Sequence, residues 1–154
     1  MPVIVVGIDG SDASRAALRF ALEEARLRGA SVRAVCAWEV PLDQAMPGPV
    51  IGGLPLEYGI PIEDLRDLAR REAATVLDQA LAAVRDEAAG VEVVSEPVEG
   101  RAAHVLVEAA ADAELLVVGS RGHGGFAGLL LGSVGQACAH HARCPVAVIR
   151  PQTA

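Results

Sequence analysis

The chain has 154 residues, of which 52% are hydrophobic, and we expect a single compact domain over residues 1–154 with a substantial buried core. Its formal net charge of −7 argues against a nucleic-acid partner, because neutralising phosphates requires clustered cations. All of its basic side chains other than histidine are arginines, which excludes the lysine of a Walker A phosphate loop and any Schiff-base chemistry.

No apolar stretch is long and uninterrupted enough to span a bilayer. The segment from Met1 to Asp9 lacks the basic region and the small-residue cleavage site of a signal peptide, so we expect a cytoplasmic protein with no membrane partner. Cys36, Cys138 and Cys144 have neither metal-ligand nor redox spacing. We therefore expect reduced thiols that pack as small hydrophobic side chains.

In chain order, the sequence alternates between two hydrophobic periods, which is typical of β-α-β units around a parallel sheet. Apolar runs of strand length predict five strands, and helical periodicity with capping signals predicts four helices between them. The predicted strands cover residues 3–8, 32–38, 91–94, 115–118 and 145–149. The predicted helices cover residues 11–27, with Ser11 as cap and Gly29 as stop, and 61–88, 101–111 and 133–141.

Residues 39–60 are rich in glycine and proline and show no clear period, so we expect a long irregular loop or lid there. The final strand, Pro145 to Ile149, starts with a proline and comes last in the chain. Both features suit an edge strand, which can pair with another subunit.

The most informative motif is a Gly-x2-Gly-x9-Gly-Ser array formed by Gly119, Gly122, Gly132 and Ser133, which begins where an apolar run ends. A buried strand that leads into such a loop lets bare backbone approach a phosphate, and Ser133 at a helix start adds a hydroxyl and a favourable dipole. No carboxylate side chain follows Glu114, so the glycine-rich end of this acidic chain is free of negatively charged side chains. The array predicts a nucleotide site; the alternative is a flexible loop whose glycines only satisfy turns.

A second candidate segment, Asp9-Gly10-Ser11, follows the first predicted strand. In doubly wound sheets, ligands bind at the carboxyl ends of strands where the direction of winding reverses. If the first and fourth strands are neighbours, Asp9 and the glycine array line one crevice, in which a carboxylate suits ribose hydroxyls. The alternative is a turn followed by a helix cap, and both roles are compatible. Trp38 ends the second strand, where it forms either a pocket wall or a contact with the core or the lid.

These residues resemble the nucleotide-binding branch of the universal stress protein family over essentially the whole chain. The resemblance rests on residues 5–11 (VVGIDGS), on the Gly100-Arg101 turn, on residues 118–133 with the glycine array, and on residues 144–148 (CPVAV). It implies a Rossmann-like, doubly wound α/β fold, with a five-stranded parallel sheet in the order 3-2-1-4-5 and helices on both faces. It also implies ATP binding, marked by the array, and a homodimer joined through the last strand.

Carried over by position, the resemblance places Asp9 near the ribose and adenine, the backbone of Ala37 at the adenine edge, and Val118 along the nucleoside. Gly7 stands where some family members carry proline, and Arg121 and His123 are the only cationic candidates near the phosphates. The whole implied nucleotide site comprises Gly7, Asp9, Ser11, Ala37, Val118, Gly119, Ser120, Arg121, Gly122, His123, Gly132, Ser133 and Val134.

Three functions remain open at this point. The first is a regulatory module of the stress response that binds ATP, ADP or AMP, with or without Mg²⁺. The second is a slow ATP hydrolase of the adenine-nucleotide hydrolase type, and the third is a protein-interaction subunit with an empty crevice.

Hydrolysis requires an oriented water, a charge clamp and usually a metal held by the protein. The loop supplies no carboxylate for this unless Asp9 or Asp12 reaches across, so we predict no catalytic residues and at most a weak ATPase. His140 and His141 are consecutive on a predicted helix and point about 100° apart, so we also predict no metal site.

Overall fold

A computed structural model describes residues 1–40, 50–51, 54–55, 61–122 and 131–151 of the chain. The strands are β1 (Val3–Gly7), β2 (Ser31–Trp38), β3 (Val50–Ile51), β4 (Leu54–Pro55), β5 (Val93–Glu99), β6 (Leu115–Gly119) and β7 (Val146–Ile149). The helices are α1 (Asp12–Arg28), α2 (Ile62–Ala83), α3 (Ala102–Ala109) and α4 (Ser133–His141).

Five of the strands form one parallel sheet in the order β5-β2-β1-β6-β7. Numbered within this sheet alone, the order is 3-2-1-4-5, which confirms the predicted fold. Alternate residues of β1 point to opposite faces, so that Ile4 and Val6 belong to one apolar cluster and Val5 to another. The first cluster packs beneath α1 and α2 and the second beneath α3 and α4, so helices cover both faces of the sheet.

The start and stop signals of α1 are confirmed. The side chain of Ser11 accepts a hydrogen bond of 3.1 Å from the backbone N–H of Ser14, which satisfies one of the free donors of the first turn. Gly29 ends the helix in the left-handed region with φ 64°, and its N–H donates to the carbonyl of Ala25. This helix fixes the direction of the chain as it leaves Asp9.

Two predicted boundaries were wrong. Helix α2 ends at Ala83 instead of residue 88, because the N–H of Val84 turns back to the carbonyl of Leu81 and the chain continues in turns to Gly90. Strand β5 was predicted over residues 91–94 but runs to Glu99, since it pairs with β2 along its whole length. Pro97 and the polar residues beside it are tolerated because β5 lies at the edge of the sheet.

Smaller differences concern α3 and the predicted loop. Helix α3 is one turn shorter than the predicted 101–111. Within 39–60, the predicted irregular loop, the described residues include β3 and β4, which form an antiparallel pair; most of the rest of that segment lies outside the described residues.

A single domain over 1–154 stays a prediction. In the described part of the chain, no helix is long and apolar enough to cross a membrane.

Strand β7 lies at one end of the sheet, next to β6, which confirms the predicted edge position. The three thiols are free, as expected. Cys36 is buried in the cluster beneath α1 and α2, whereas Cys138 and Cys144 pack in the cluster on the other face.

Candidate functional site

A cavity of about 540 Å³ opens at the carboxyl ends of β1, β2 and β6. In the sheet, β2 and then β5 lie on one side of β1, and the later strands β6 and β7 lie on its other side. The cavity therefore lies where the direction of winding reverses, which is the general ligand position in sheets of this kind.

All but two of the thirteen predicted site residues line this cavity. Ser120 does not: it is 3% exposed, and its backbone holds the loop, donating to the carbonyl of Ile149 at 2.7 Å and accepting from the N–H of Gly132 at 2.6 Å. His123 lies outside the described residues. The residues that do line it are Gly7, Asp9, Ser11, Ala37, Val118, Gly119, Arg121, Gly122, Gly132, Ser133 and Val134.

The deep side of the cavity is apolar. Its lining there, which we call the apolar floor, consists of Gly7, Val35, Ala102, Leu106 and Val118. Gly7 is paired with Val35 in the sheet, and Leu106 reaches down from α3 onto Gly7. An apolar surface of this shape suits a flat, weakly solvated group such as an aromatic heterocycle.

Asp9 and Gly122 lie close together in the lining of the cavity. A Cβ placed on Gly122 would lie 2.5 Å from Oδ2 of Asp9, so a side chain at position 122 would have to displace the Asp9 carboxylate. The other carboxylate oxygen, Oδ1, accepts from the N–H of Ser11 at 2.9 Å, which fixes the Asp9 side chain in a local turn. The structure thus brings the segment after β1 and the glycine array into one site.

The glycine array begins where β6 meets α1 and resumes at the start of α4. The N–H of Gly132 donates to the carbonyl of Ser120 and so returns the chain to the end of β6. Ser133, Val134 and Gly135 in the first turn of α4 all line the cavity. The positive end of the α4 dipole therefore lies beside the cavity.

The cavity lining carries both signs of charge. Asp9 and Arg121 are the charged side chains among the described lining residues, and the Cα of Arg121 would lie 3.6 Å from a Cβ built on Gly132, just before α4. A ligand with an apolar ring, a hydroxyl-bearing middle and an anionic end matches the combination of the apolar floor, the Asp9 carboxylate and the Arg121 guanidinium.

The thiol next to the site is inert. Burial raises the pKa of Cys36 to about 11, with the negative charge of Asp9 as a lesser cause. Among the residues that the structure describes, no three or more His, Cys, Asp or Glu side chains are grouped so that they could hold a metal ion.

Sequence reasoning missed several lining residues. The missed residues are Ile8, Ser14, Val35, Ala102, Leu106 and Gly135. The contribution of α3 was detectable only through the Gly100-Arg101 turn: the N–H of Gly100 donates to the carbonyl of Trp38 at 2.8 Å, which holds the start of α3 beside the end of β2. Trp38 itself packs against the cluster beneath α1 and α2 and does not line the cavity.

The fold and the cavity define a doubly wound α/β protein with a pocket at its switch point. A family model described as the universal stress protein family matches residues 1–150, and the chain belongs to this family. Universal stress protein Rv2005c of Mycobacterium tuberculosis is 38% identical over 147 residues, which cover 96% of this chain and 45% of that protein. Universal stress protein Rv2623 of the same organism is 35% identical, with 96% and 44% covered. The chain thus spans less than half the length of these curated relatives.

Solved structures of the same family are also similar. A universal stress protein from Archaeoglobus fulgidus in complex with dAMP is 28% identical with a TM-score of 0.62, and 97% of each chain is covered. A universal stress protein in complex with cAMP is 27% identical with a TM-score of 0.65, and 98% of each chain is covered. UspA from Lactobacillus plantarum, 24% identical with a TM-score of 0.74 over 97% of each chain, shows the fold alone.

Proposed function

We propose that the cavity binds an adenine nucleotide, either ATP or its products ADP and AMP, and that the protein is a regulatory module of the stress response. The observation that carries this proposal is the close approach of the segment after β1 to the glycine array, where a side chain on Gly122 would displace the carboxylate of Asp9. The complexes of related proteins with dAMP and cAMP support an adenine ligand.

The residues present fit such a ligand. A volume of about 540 Å³ is in the range of ordinary small-molecule sites. The apolar floor would take the base, and Asp9 would accept hydrogen bonds from ribose hydroxyls. The N–H groups at the start of α4 and the side chain of Arg121 would hold the phosphates.

The protein would bind the nucleotide without hydrolysing it rapidly. ATP would bring Mg²⁺ with its phosphates, and among the described lining residues Asp9 is the one carboxylate available to it. One oxygen of the Asp9 carboxylate, Oδ1, is already engaged by the N–H of Ser11. This arrangement favours holding the phosphates over activating a water to attack them.

The proposal extends to partners and location. Strand β7 ends the sheet, and we propose that two copies of the chain pair through it to form a homodimer in the cytoplasm. The carbonyl of Ile149, at the end of this strand, accepts from the N–H of Ser120. The nucleotide loop would therefore be linked to the dimer interface by one hydrogen bond.

Calorimetry with ATP, ADP and AMP tests the nucleotide proposal. We expect micromolar binding by the natural chain and loss of binding in Gly122→Val, because the new side chain collides with the Asp9 carboxylate. Gly90→Ala is the control: this exposed glycine has φ 82° and no neighbour within 4 Å, so the substitution strains a turn without touching the cavity. Absence of binding by the natural chain would favour the protein-interaction alternative.

A steady-state assay with Mg²⁺ and ATP tests the chemical part. We expect at most slow release of phosphate. Many rapid turnovers would mean that the protein is an ATP-hydrolysing enzyme and that the module proposal is wrong. Mass spectrometry of small molecules released from the denatured protein would identify the nucleotide that the protein carries from the cell.

A further inference from the structure

Gly7 and Leu106 occupy one shared volume at the apolar floor. A Cβ built on Gly7 would lie 2.8 Å from Cδ1 and 3.3 Å from Cδ2 of Leu106. The Leu106 side chain therefore rests directly on the Gly7 backbone, where a side chain at position 7 would otherwise be. Leu106 is 4% exposed, so it is packed on its other sides.

The position of Leu106 is fixed by the start of α3. Gly100 precedes this helix with φ 138°, a conformation that favours glycine, and its N–H is bonded to the carbonyl of Trp38. Ala102 and Leu106 are one helical turn apart and both line the cavity. Because α3 is held in this way, the depth of the floor depends on the size of the side chains at 7 and 106.

We infer that Gly7 and Leu106 together determine the size of the base that the cavity admits. Leu106 forms part of the floor, and Gly7, which has no side chain, leaves Leu106 room to lie against the sheet instead of further into the cavity. The ligand class is a nucleotide whose base is no larger than adenine. This inference rests on the proposed nucleotide function and adds a specificity role to two residues.

A double-mutant cycle with two nucleotides tests the pair. The probes are AMP and 1,N6-ethenoadenosine 5′-monophosphate, whose base carries an additional fused ring. We expect the natural chain to prefer AMP by at least about tenfold, because hydrophobic pockets reject added carbon atoms by factors of about 10 to 200. Leu106→Ala should reduce this preference about tenfold by opening the floor. Gly7→Ala should weaken the binding of both probes, because the new methyl group pushes Leu106 into the cavity.

The coupling between the two sites is the decisive result. In the double variant Gly7→Ala/Leu106→Ala, the methyl group at 7 meets no leucine, so we expect AMP binding to recover relative to Gly7→Ala alone. The inference would be overturned if the effects of the two substitutions on AMP binding were additive and binding did not recover in the double variant. If Leu106→Ala does not fold, Leu106→Val removes less of the side chain and should reduce the preference in the same direction by a smaller factor.

Leu77→Ala serves as the matched control. Leu77 is 1% exposed and lies in the cluster beneath α1 and α2, on the other face of the sheet. Its truncation should lower the melting temperature as Leu106→Ala does and leave the ratio of the two affinities unchanged. An equal change of ratio in Leu77→Ala, or an unchanged ratio in Leu106→Ala, would refute the inference while the proposed function stands. If the natural chain binds neither AMP nor the etheno analogue, the proposed function itself is wrong.

Discussion

Gly119 packs directly on Ala13, at the contact between the end of β6 and the first turn of α1. A Cβ at position 119 would lie 2.8 Å from the Cβ of Ala13 and 2.9 Å from its carbonyl carbon. The backbone atoms of a helix cannot move away as a flexible side chain can. This contact therefore sets the distance between the helix that follows Asp9 and the loop that carries the glycine array.

The first prediction concerns this contact. We expect Gly119→Ala to lower the free energy of unfolding by about 1–3 kcal/mol, the usual range for overpacking, and to weaken nucleotide binding. Urea denaturation measures the first effect and calorimetry the second. Adding Ala13→Gly removes one of the two colliding groups and should restore part of the stability. A fully stable Gly119→Ala variant would mean that α1 and β6 can separate freely.

The second prediction separates phosphate recognition from base recognition. Arg121→Gln should weaken ATP binding by about tenfold, or roughly 1.4 kcal/mol. Adenosine binding should be nearly unchanged, because the guanidinium would interact with the charged phosphates, which adenosine lacks. The loss should shrink as salt is added. Arg143→Gln removes an equal charge from an exposed position that does not line the cavity and should bind ATP as the natural chain does. Equal losses for ATP and adenosine would place Arg121 elsewhere than at the phosphates.

The third prediction is a pH dependence caused by Cys36. Its pKa is raised from 9.0 to about 11 in the folded protein, chiefly by burial. Below pH 9 both folded and unfolded chains hold the proton, so the full stability is present. Between pH 9 and 11 the unfolded chain loses the proton first, and the free energy of unfolding should fall by on the order of 1 kcal/mol per pH unit.

Comparison with Cys36→Ala isolates this effect. In the variant, the part of the decline that Cys36 causes should disappear, whereas contributions from Cys138 and Cys144 persist in both proteins. Urea denaturation at several pH values between 8 and 11 supplies the two curves. Parallel curves for the natural chain and the variant would contradict the raised pKa.

The fourth prediction concerns the proposed dimer. Val148 lies in β7 and is 37% exposed, so Val148→Arg would place a charge in an interface formed by this strand. We expect the natural chain to sediment as a dimer and this variant as a monomer. Val94→Arg is the matched control, because Val94 is 51% exposed on β5 at the opposite edge of the sheet. A monomeric natural chain, or dissociation by both variants alike, would refute pairing through β7.

The elements that sequence reasoning found accurately are those whose signals are local. Helix α1 has a side-chain cap at Ser11 and a left-handed glycine at its end, and both are readable within a few residues. The end of β5 was missed because its outer residues, including Pro97, carry no apolar alternation. Pairing with β2 extends this strand, and that pairing joins residues about 60 positions apart.

The amino-acid sequence by itself determined the succession of the helices and of the five strands of the main sheet, and the glycine array, because periodicity, caps and glycine spacing are properties of neighbouring residues. The tertiary structure alone decided what each of these elements touches. It placed Asp9 close to Gly122, laid Leu106 on Gly7 and turned Trp38 away from the cavity. The physical reason is that contacts between distant segments depend on the packing of whole helices against the sheet, and no local pattern of residues specifies that packing.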